Sequence, residues 1–180
     1  MGSRTLTASE IRQLLVDLDA ELQQRGKAAT LFVVGGAAMA LAYNASRATD
    51  DVDGTFEPRD AVLEAAAAVA EQWPGLDSSW LSDGVIQLMP PLPDDHPRGE
   101  IIGPALTVSI ASAEYVLAMK AMVSRKSQGD VDDAVALCLQ VGVTNEPQLE
   151  DVVARYFPGR QFGSQELFFE RIIESLPRND

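Results

Sequence analysis

Apolar residues recur at helical spacing near the start of the chain and form a β-rich run soon after. Thr7-Ala-Ser-Glu10 is a capping box, and isoleucine and leucine then follow every three or four residues until Gly26. Residues 30–34 form a short β-rich run that ends at a glycine pair, and residues 37–43 are rich in alanine. The pattern predicts a helix, a strand, a glycine turn and a second helix, in that order.

The middle of the chain predicts more strands. Residues 51–56 alternate acidic with apolar or small side chains, which places Asp51 and Asp53 on the same face of a strand. The next helix is expected to begin at Pro58 and to end at Trp73, before Pro-Gly. Three further strand candidates, the first followed by a proline-rich surface loop, cover residues 85–89, 100–103 and 106–110.

Only helical patterns follow residue 110. Each helix is expected to begin at a small or short polar residue, and these residues are Ser112 or Ala113, Asp130, Thr144 and Ser164. The first of these helices is predicted to run to about Lys126 and the second to end at Gly142. We therefore predict an α/β (α+β) fold, with a mixed α/β lobe over residues 1–110 and a helical lobe over residues 111–180.

Composition and charge narrow the classes of function. The 180 residues are 46% hydrophobic and 23% charged, as in ordinary globular domains. No apolar run approaches the roughly 20 residues that a membrane helix needs, and no apolar signal core opens the chain, so we expect a cytoplasmic protein without membrane contact. The net charge of −13 argues against a broad electrostatic grip on nucleic acid, so any RNA contact must be local. The single histidine, His96, and single cysteine, Cys138, exclude a multi-histidine zinc site and an internal disulfide.

The segment from Gly35 to Asp53 carries the clearest chemistry. A glycine pair between a strand and a helix lets backbone amides approach a phosphate. Two acids spaced by one residue on a strand, Asp51 and Asp53, can share divalent cations that hold a triphosphate. Each feature alone is commonly a tight turn or a solvated strand edge. Their combination, with Gly36 beside Gly35, predicts a metal-assisted nucleotide site.

A second cluster of charged residues lies on the predicted helices after residue 110. Lys120 is followed by Arg125 and then by Asp-x-x-Asp at Asp130 and Asp133. Together with the first segment, this cluster resembles the nucleotidyltransferase superfamily, in particular the AbiEii and DUF6036 type. That type includes the toxin halves of bacterial toxin–antitoxin pairs, MenT-like toxins among them. The resemblance spans about residues 31–139.

The resemblance implies roles for individual residues. Gly35 and Gly36 shape the triphosphate turn, and Asp51 and Asp53 bind Mg²⁺. It also implies that Lys120 contacts the nucleotide phosphates and that the helical lobe completes the active site.

Further residues have roles that the resemblance leaves open. The resemblance implies that Asp130 completes the acidic site, but Asp130 also suits a helix cap, and Asp133 is the alternative acid. Arg47 and Arg125 either bind phosphate or pair with the acidic cluster. The third carboxylate of the wider superfamily has no clear match, and Glu100 is equally a candidate for it and an edge-strand residue that favours solubility.

The implied activity is a Mg²⁺-dependent transfer of a nucleoside monophosphate from an NTP to an acceptor hydroxyl. The resemblance implies a tRNA 3′ end as the acceptor and a growth-inhibiting toxin with a cognate antitoxin. A small-molecule transferase acting on a cationic aminoglycoside is the alternative enzyme, and the acidic charge favours it. The alternative that is not an enzyme is a catalytically silent nucleotidyltransferase fold that acts as a binding module.

Two residues near the acidic pair need a separate interpretation, namely Thr49 and Gly54. Thr49 is either a structural β-branched residue or, on the resemblance, a site of regulatory phosphorylation that blocks the triphosphate. Gly54 stands where many relatives carry a larger apolar residue, and we expect it to loosen its strand.

Overall fold

The computed structural model describes residues 4–122 and 127–177, which form two compact units. The first unit contains the described part of residues 1–87 together with residues 97–111. The second contains residues 88–96 and the described part of residues 112–180. Residues 88–96, which the predicted lobe 1–110 includes, therefore group with the second unit.

A five-stranded mixed sheet organises the first unit. Its spatial order is β3-β2-β1-β5-β4. The strands are β1 (Ala29–Val33), β2 (Val52–Glu57), β3 (Leu81–Ser82), β4 (Arg98–Ile101) and β5 (Leu106–Ile110). The central β1 runs antiparallel to β2 and parallel to β5, while β3 is parallel to β2 and β4 is antiparallel to β5. The mixed sheet with helices confirms the predicted α+β class.

Helices of the first unit follow the apolar pattern of the sequence. They are α1 (Ala8–Gln24), α2 (Gly35–Ala38), which continues as a π-helical segment (Met39–Tyr43), and α3 (Arg59–Gln72). Thr7 and Glu10 form the predicted reciprocal capping box of α1. The face of α1 that carries the periodic apolar residues is buried, namely Ile11, Leu14, Leu15, Leu18 and Leu22. This face and α3 build part of the core beside the sheet.

Local differences from the sequence prediction fall at element ends and in the loop region. Residues 85–89 are not a strand, because Gly84–Leu88 forms a 3-10 turn in which the Ile86 amide donates to the Asp83 carbonyl. The two-residue strand β3 was not predicted. Pro58 occupies the N-cap position of α3, without a side-chain hydrogen bond, and the helix itself begins at Arg59. The glycine pair begins α2 and does not precede it as a separate turn.

The described part of the second unit is helical, as predicted. Its helices are α4 (Ala113–Ala121), α5 (Gln128–Val141), α6 (Glu146–Tyr156) and α7 (Glu166–Glu174). Ser112 caps α4, and Gly142 ends α5 with a φ of +79°. The predicted end of α4 near Lys126 lies outside the described residues, and the described helix ends at Ala121.

Three predicted helix caps in this unit are wrong. Ser127 caps α5, and Asp130 is the third helical residue, whose side chain returns to the Ser127 amide. Asn145 caps α6, so Thr144 lies one residue before the cap. Gln165 precedes α7, so Ser164 is not its cap. Ser127 and Asn145 have the extended backbone and the side-chain acceptor that a helix cap requires, whereas Gln165 has helical backbone angles and forms no side-chain cap.

None of the helices in residues 4–122 and 127–177 combines the length and the apolar character needed to cross a bilayer.

Candidate active site

Gly35 lies directly against the acidic pair. It begins α2 with a φ of +62°, a conformation that glycine adopts without strain. A β-carbon at this position would lie 3.8 Å from Asp53 Oδ2. The Val34 amide donates to the Asp53 carbonyl at 2.9 Å and so joins the start of α2 to β2. The fold therefore brings the first glycine and the second acid of the predicted motif together.

Asp51 and Asp53 are both half-buried, on either side of the buried Val52. Burial and the neighbouring charge of Asp51 raise the pKa of Asp53 to about 6. Burial and the charge of Asp50 also raise the pKa of Asp51. The charge of Asp51 thus acts on Asp53. β2 begins at Val52, so Asp51 lies one residue before the strand on which both acids were predicted. A cation between them would relieve this repulsion.

The donor set of this pair can be compared with what Mg²⁺ needs. Within the described ranges, no group of three or more His, Cys, Asp or Glu side chains could hold a metal ion. Mg²⁺ is usually bound by one or two carboxylates together with waters and substrate phosphates, and not by an all-protein cage. The half-buried, mutually repelling carboxylates of Asp51 and Asp53 fit a Mg²⁺ ion that arrives with a triphosphate.

Glu100 does not join this pair. It lies on β4, which is separated from β2 by β1 and β5 in the sheet order, and a separation of three strands is about 14 Å. Its carboxylate is 3.9 Å from the guanidinium of Arg12 in a partly exposed ion pair. Glu100 is therefore an edge-strand residue and not the third carboxylate of the site.

Gly36 and Thr49 form the second contact around the glycine pair. A β-carbon on Gly36 would lie 2.7 Å from Thr49 Oγ1 and 3.2 Å from Thr49 Cβ. Thr49 does not belong to β2, which begins at Val52. Instead Thr49 forms an isolated antiparallel bridge with Leu6, and their main-chain N···O distances are 2.6 and 3.0 Å. The bridge holds the threonine side chain against the second glycine.

Gly54 tightens the sheet at the acidic strand. It pairs with Val33 in the register of β1 and β2. A β-carbon at Gly54 would overlap the carbonyl group of Phe32. The expectation that Gly54 loosens the strand is wrong, because only glycine allows the two strands to approach this closely.

Lys120, Asp130 and Asp133 form a buried ion cluster within the second unit. Lys120 Nζ is 3.2 Å from Asp130 Oδ1 and 2.9 Å from Asp133 Oδ2. The three side chains are 11%, 15% and 3% exposed, in that order. Lys120 is therefore not a solvated surface lysine. Burial acts to raise the pKa of Asp130, but the hydrogen bonds from Ser127 and the charge of Lys120 outweigh it and hold that pKa below its ordinary value.

Four other residues that the sequence analysis singled out are Arg47, Arg125, Cys138 and His96. Arg47 is half-buried in the segment before Thr49, and Arg125 lies outside the described residues. Burial raises the pKa of the Cys138 thiol to about 12, which makes it an inert core residue. His96 lies exposed beside an open groove of about 400 Å³ in the second unit.

Sequence reasoning missed the π-helical segment that follows the glycine pair. Its last residue, Tyr43, donates a hydrogen bond of 2.6 Å from its hydroxyl to the Ala111 carbonyl at the end of β5. π-helical turns occur often near functional sites. The alanine-rich sequence predicts a helix here but gives no signal for the wider turn.

No family model, no curated protein and no solved structure matches this chain. Its similarity to nucleotidyltransferases therefore remains a resemblance that rests on the residues described above.

Proposed function

We propose that this protein is a Mg²⁺-dependent nucleotidyltransferase. It moves a nucleoside monophosphate from an NTP to an acceptor hydroxyl and releases pyrophosphate. The observation that carries the proposal is the placement of Gly35, at the start of α2, against the carboxylate of Asp53, which interacts with Asp51. A glycine at the start of a helix and a neighbouring pair of carboxylates are two features that would hold a metal-bound triphosphate.

In the proposed reaction, the acceptor oxygen forms a bond to the α-phosphorus and the bond to the bridging oxygen of pyrophosphate breaks. The acceptor proton is released to solvent. Asp51 and Asp53 would hold Mg²⁺, which supplies charge neutralisation for the triphosphate and the leaving group when it is bound. The backbone amides of Gly35 and Gly36, at the start of α2, would donate to phosphate oxygens. Lys120 would offset further phosphate charge.

The acceptor that we propose is the 3′ end of a tRNA, on the basis of the resemblance of the two motifs. The opposing observation is the net charge of −13, which repels RNA and attracts cations. This charge supports the second candidate function, nucleotidyl transfer to a cationic aminoglycoside. In the tRNA reaction, Arg47, Arg125 and Lys126 are the basic residues proposed to form a local path for RNA.

We also propose that the protein acts as a growth-inhibiting toxin and that phosphorylation of Thr49 by a cognate antitoxin silences it. Thr49 Oγ1 lies against Gly36. A phosphate on this oxygen would add about −1.5 to −2 charges beside the glycine pair. It would therefore compete with the triphosphate for the same space.

The test of the proposed function is a transfer assay with purified protein. Each labelled NTP is incubated with Mg²⁺ and either total tRNA or a panel of aminoglycosides. We expect labelled tRNA, and labelled aminoglycoside with unlabelled tRNA would select the second candidate. The catalytically silent module would be indicated by no product with any acceptor.

Two variants complete the assay. Asp53→Asn should lower transfer by several orders of magnitude, because it removes one of two metal ligands. Asp60→Asn is the control, because it removes the charge of a carboxylate whose side chain is 91% exposed. Equal activity of Asp53→Asn and Asp60→Asn would reject the site.

A further inference from the structure

We infer that Asp133 is the positioning residue that orients the ammonium group of Lys120, whereas Asp130 serves first as the acid of the α5 capping box. The inference rests on the proposed function to the extent that Lys120 contacts the nucleotide phosphates. It assigns separate tasks to two acids that the sequence motif presents as alternatives.

Asp130 is committed to the start of α5 by its own contacts. Its Oδ2 accepts hydrogen bonds from the Ser127 amide at 3.1 Å and from the Ser127 hydroxyl at 2.7 Å. The Ser127 hydroxyl in turn accepts from the Asp130 amide at 3.2 Å. These reciprocal bonds hold the carboxylate at the helix start whether or not Lys120 is present. Only the other oxygen, Oδ1, reaches the lysine.

Asp133 has a different environment, one turn further along α5. Its side chain is 3% exposed, and Oδ2 lies 2.9 Å from Lys120 Nζ. An ionised carboxylate buried to this extent requires a nearby positive charge. Asp133 is also the nearer and the less hydrated of the two acids that face Lys120. The charge of Asp133 therefore has the larger influence on the position of the Lys120 ammonium group.

The geometry of the two helices supports this arrangement. Lys120 lies in the last turn of α4, and both acids lie in the first two turns of α5. A cation near a helix C-terminus and anions near a helix N-terminus are each favoured by the helix dipole. An ammonium group has three N–H donors. The two carboxylate contacts account for two of these donors, and the acids set the direction in which the third would meet a phosphate oxygen.

The first experiment measures the environment of Lys120 without using activity. An acetylating reagent that reacts with amines is added to the folded protein, and the labelling rate of each lysine is followed by mass spectrometry. Exposed Lys27 is the internal reference. We expect Lys120 to react slowly in the wild-type protein, and Asp133→Asn to raise its rate about tenfold or more relative to Lys27.

Matched variants on the same helix separate the tasks of the two acids. Asp132→Asn is the control, because Asp132 is exposed on the same helix and accepts a hydrogen bond from Gln128. It should leave Lys120 labelling unchanged. Asp130→Asn should lower thermal stability through the lost cap and raise Lys120 labelling less than Asp133→Asn does. The inference is overturned by unchanged labelling in Asp133→Asn, or by a larger effect of Asp130→Asn.

The kinetics of nucleotide transfer provide the second measurement. A purely structural role of Asp133 would not change KM for the NTP. Asp133→Asn should raise KM for the NTP about tenfold with a smaller change in kcat, because a misdirected ammonium group weakens phosphate binding. Should Asp133→Asn not fold, Asp133→Glu takes its place. It keeps the charge, so Lys120 should stay protected while KM still rises, and a wild-type KM would overturn the inference. A wild-type protein that transfers no nucleotide refutes the proposed function, whereas the labelling result still decides whether Asp133 holds Lys120.

Discussion

The side chain of Thr49 occupies the space beside the α-carbon of Gly36. Its Oγ1 atom lies 2.7 Å from the position that a β-carbon on Gly36 would take. The main-chain bridge to Leu6 holds the backbone of Thr49, so a shift of its β-carbon, 3.2 Å from the same position, would disturb that bridge. Glycine is therefore required at position 36 by a neighbour 13 positions later in the sequence, and not by its own backbone angles.

A double-mutant cycle tests this contact. Gly36→Ala should lower the free energy of unfolding by about 1–3 kcal/mol, because the added methyl group overpacks against the threonine. Thr49→Ala removes Oγ1 and should restore part of that loss when combined with Gly36→Ala. We expect a coupling of about 0.5–3 kcal/mol, measured by urea denaturation. Strictly additive effects would show that the two side chains do not compete for space.

Charge at Thr49 should control nucleotide transfer. Thr49→Glu is expected to abolish activity, because it places a negative charge and extra volume beside the glycine pair. Thr49→Gln is the matched uncharged control for volume, and Thr49→Ala should remain active. Mass spectrometry of the chain co-expressed with a neighbouring antitoxin candidate should find phosphate on Thr49. An unmodified Thr49, together with a fully active Thr49→Glu, would contradict regulation at this residue.

The raised pKa of Asp53 predicts how stability depends on pH in the metal-free protein. The ordinary carboxyl pKa is 3.8, and the folded protein holds the pKa of Asp53 at about 6. Between these values the folded state binds the proton more strongly than the unfolded state, so this group lowers stability as pH rises from about 4 to 6. Above the pKa that Asp53 has in the folded protein, this loss of stability is complete.

Asp53→Asn does not carry this charge. Its melting temperature in EDTA should therefore exceed that of the wild-type protein at pH 7.5, and the difference should shrink at pH 4. Mg²⁺ should raise the melting temperature of the wild-type protein only. Asp60→Asn, at a carboxylate whose side chain is 91% exposed, is the control for a general charge effect. A pH-independent difference would contradict the raised pKa.

Asp19 should be essential for stability and not for catalysis. Its buried carboxylate accepts hydrogen bonds from the amides of Ala105 and Leu106 at 2.8 and 2.7 Å. Asp19→Ala leaves both amides buried without that acceptor and should cost about 3 kcal/mol or more. Exposed Glu71→Ala should change stability by less than about 0.5 kcal/mol. Urea denaturation of the two variants gives the comparison, and equal midpoints would contradict this role.

Local sequence determined the elements whose signals are complete within a few residues. The capping box at Thr7 and Glu10 and the apolar spacing after it define α1, because each required contact lies within one or two turns. The strand β5 was predicted at its observed bounds, Leu106–Ile110, from its run of β-rich residues. The alternation around Asp51 and Asp53 predicted the strand β2, which begins one residue after Asp51, at Val52.

Tertiary structure decided the features that depend on residues far apart in the chain. Thr49 packs against Gly36, and the ammonium group of Lys120 lies beside the carboxylate of Asp133. No local sequence pattern reveals either contact. Glu100 carries the right chemical group for the acidic site, but the strand order places it three strands away from Asp53. Residues 85–89 have strand-like composition, yet they form a 3-10 turn. The physical reason is common to these cases, because pairing and packing energies belong to contacts across the fold, whereas sequence patterns report only neighbours along the chain.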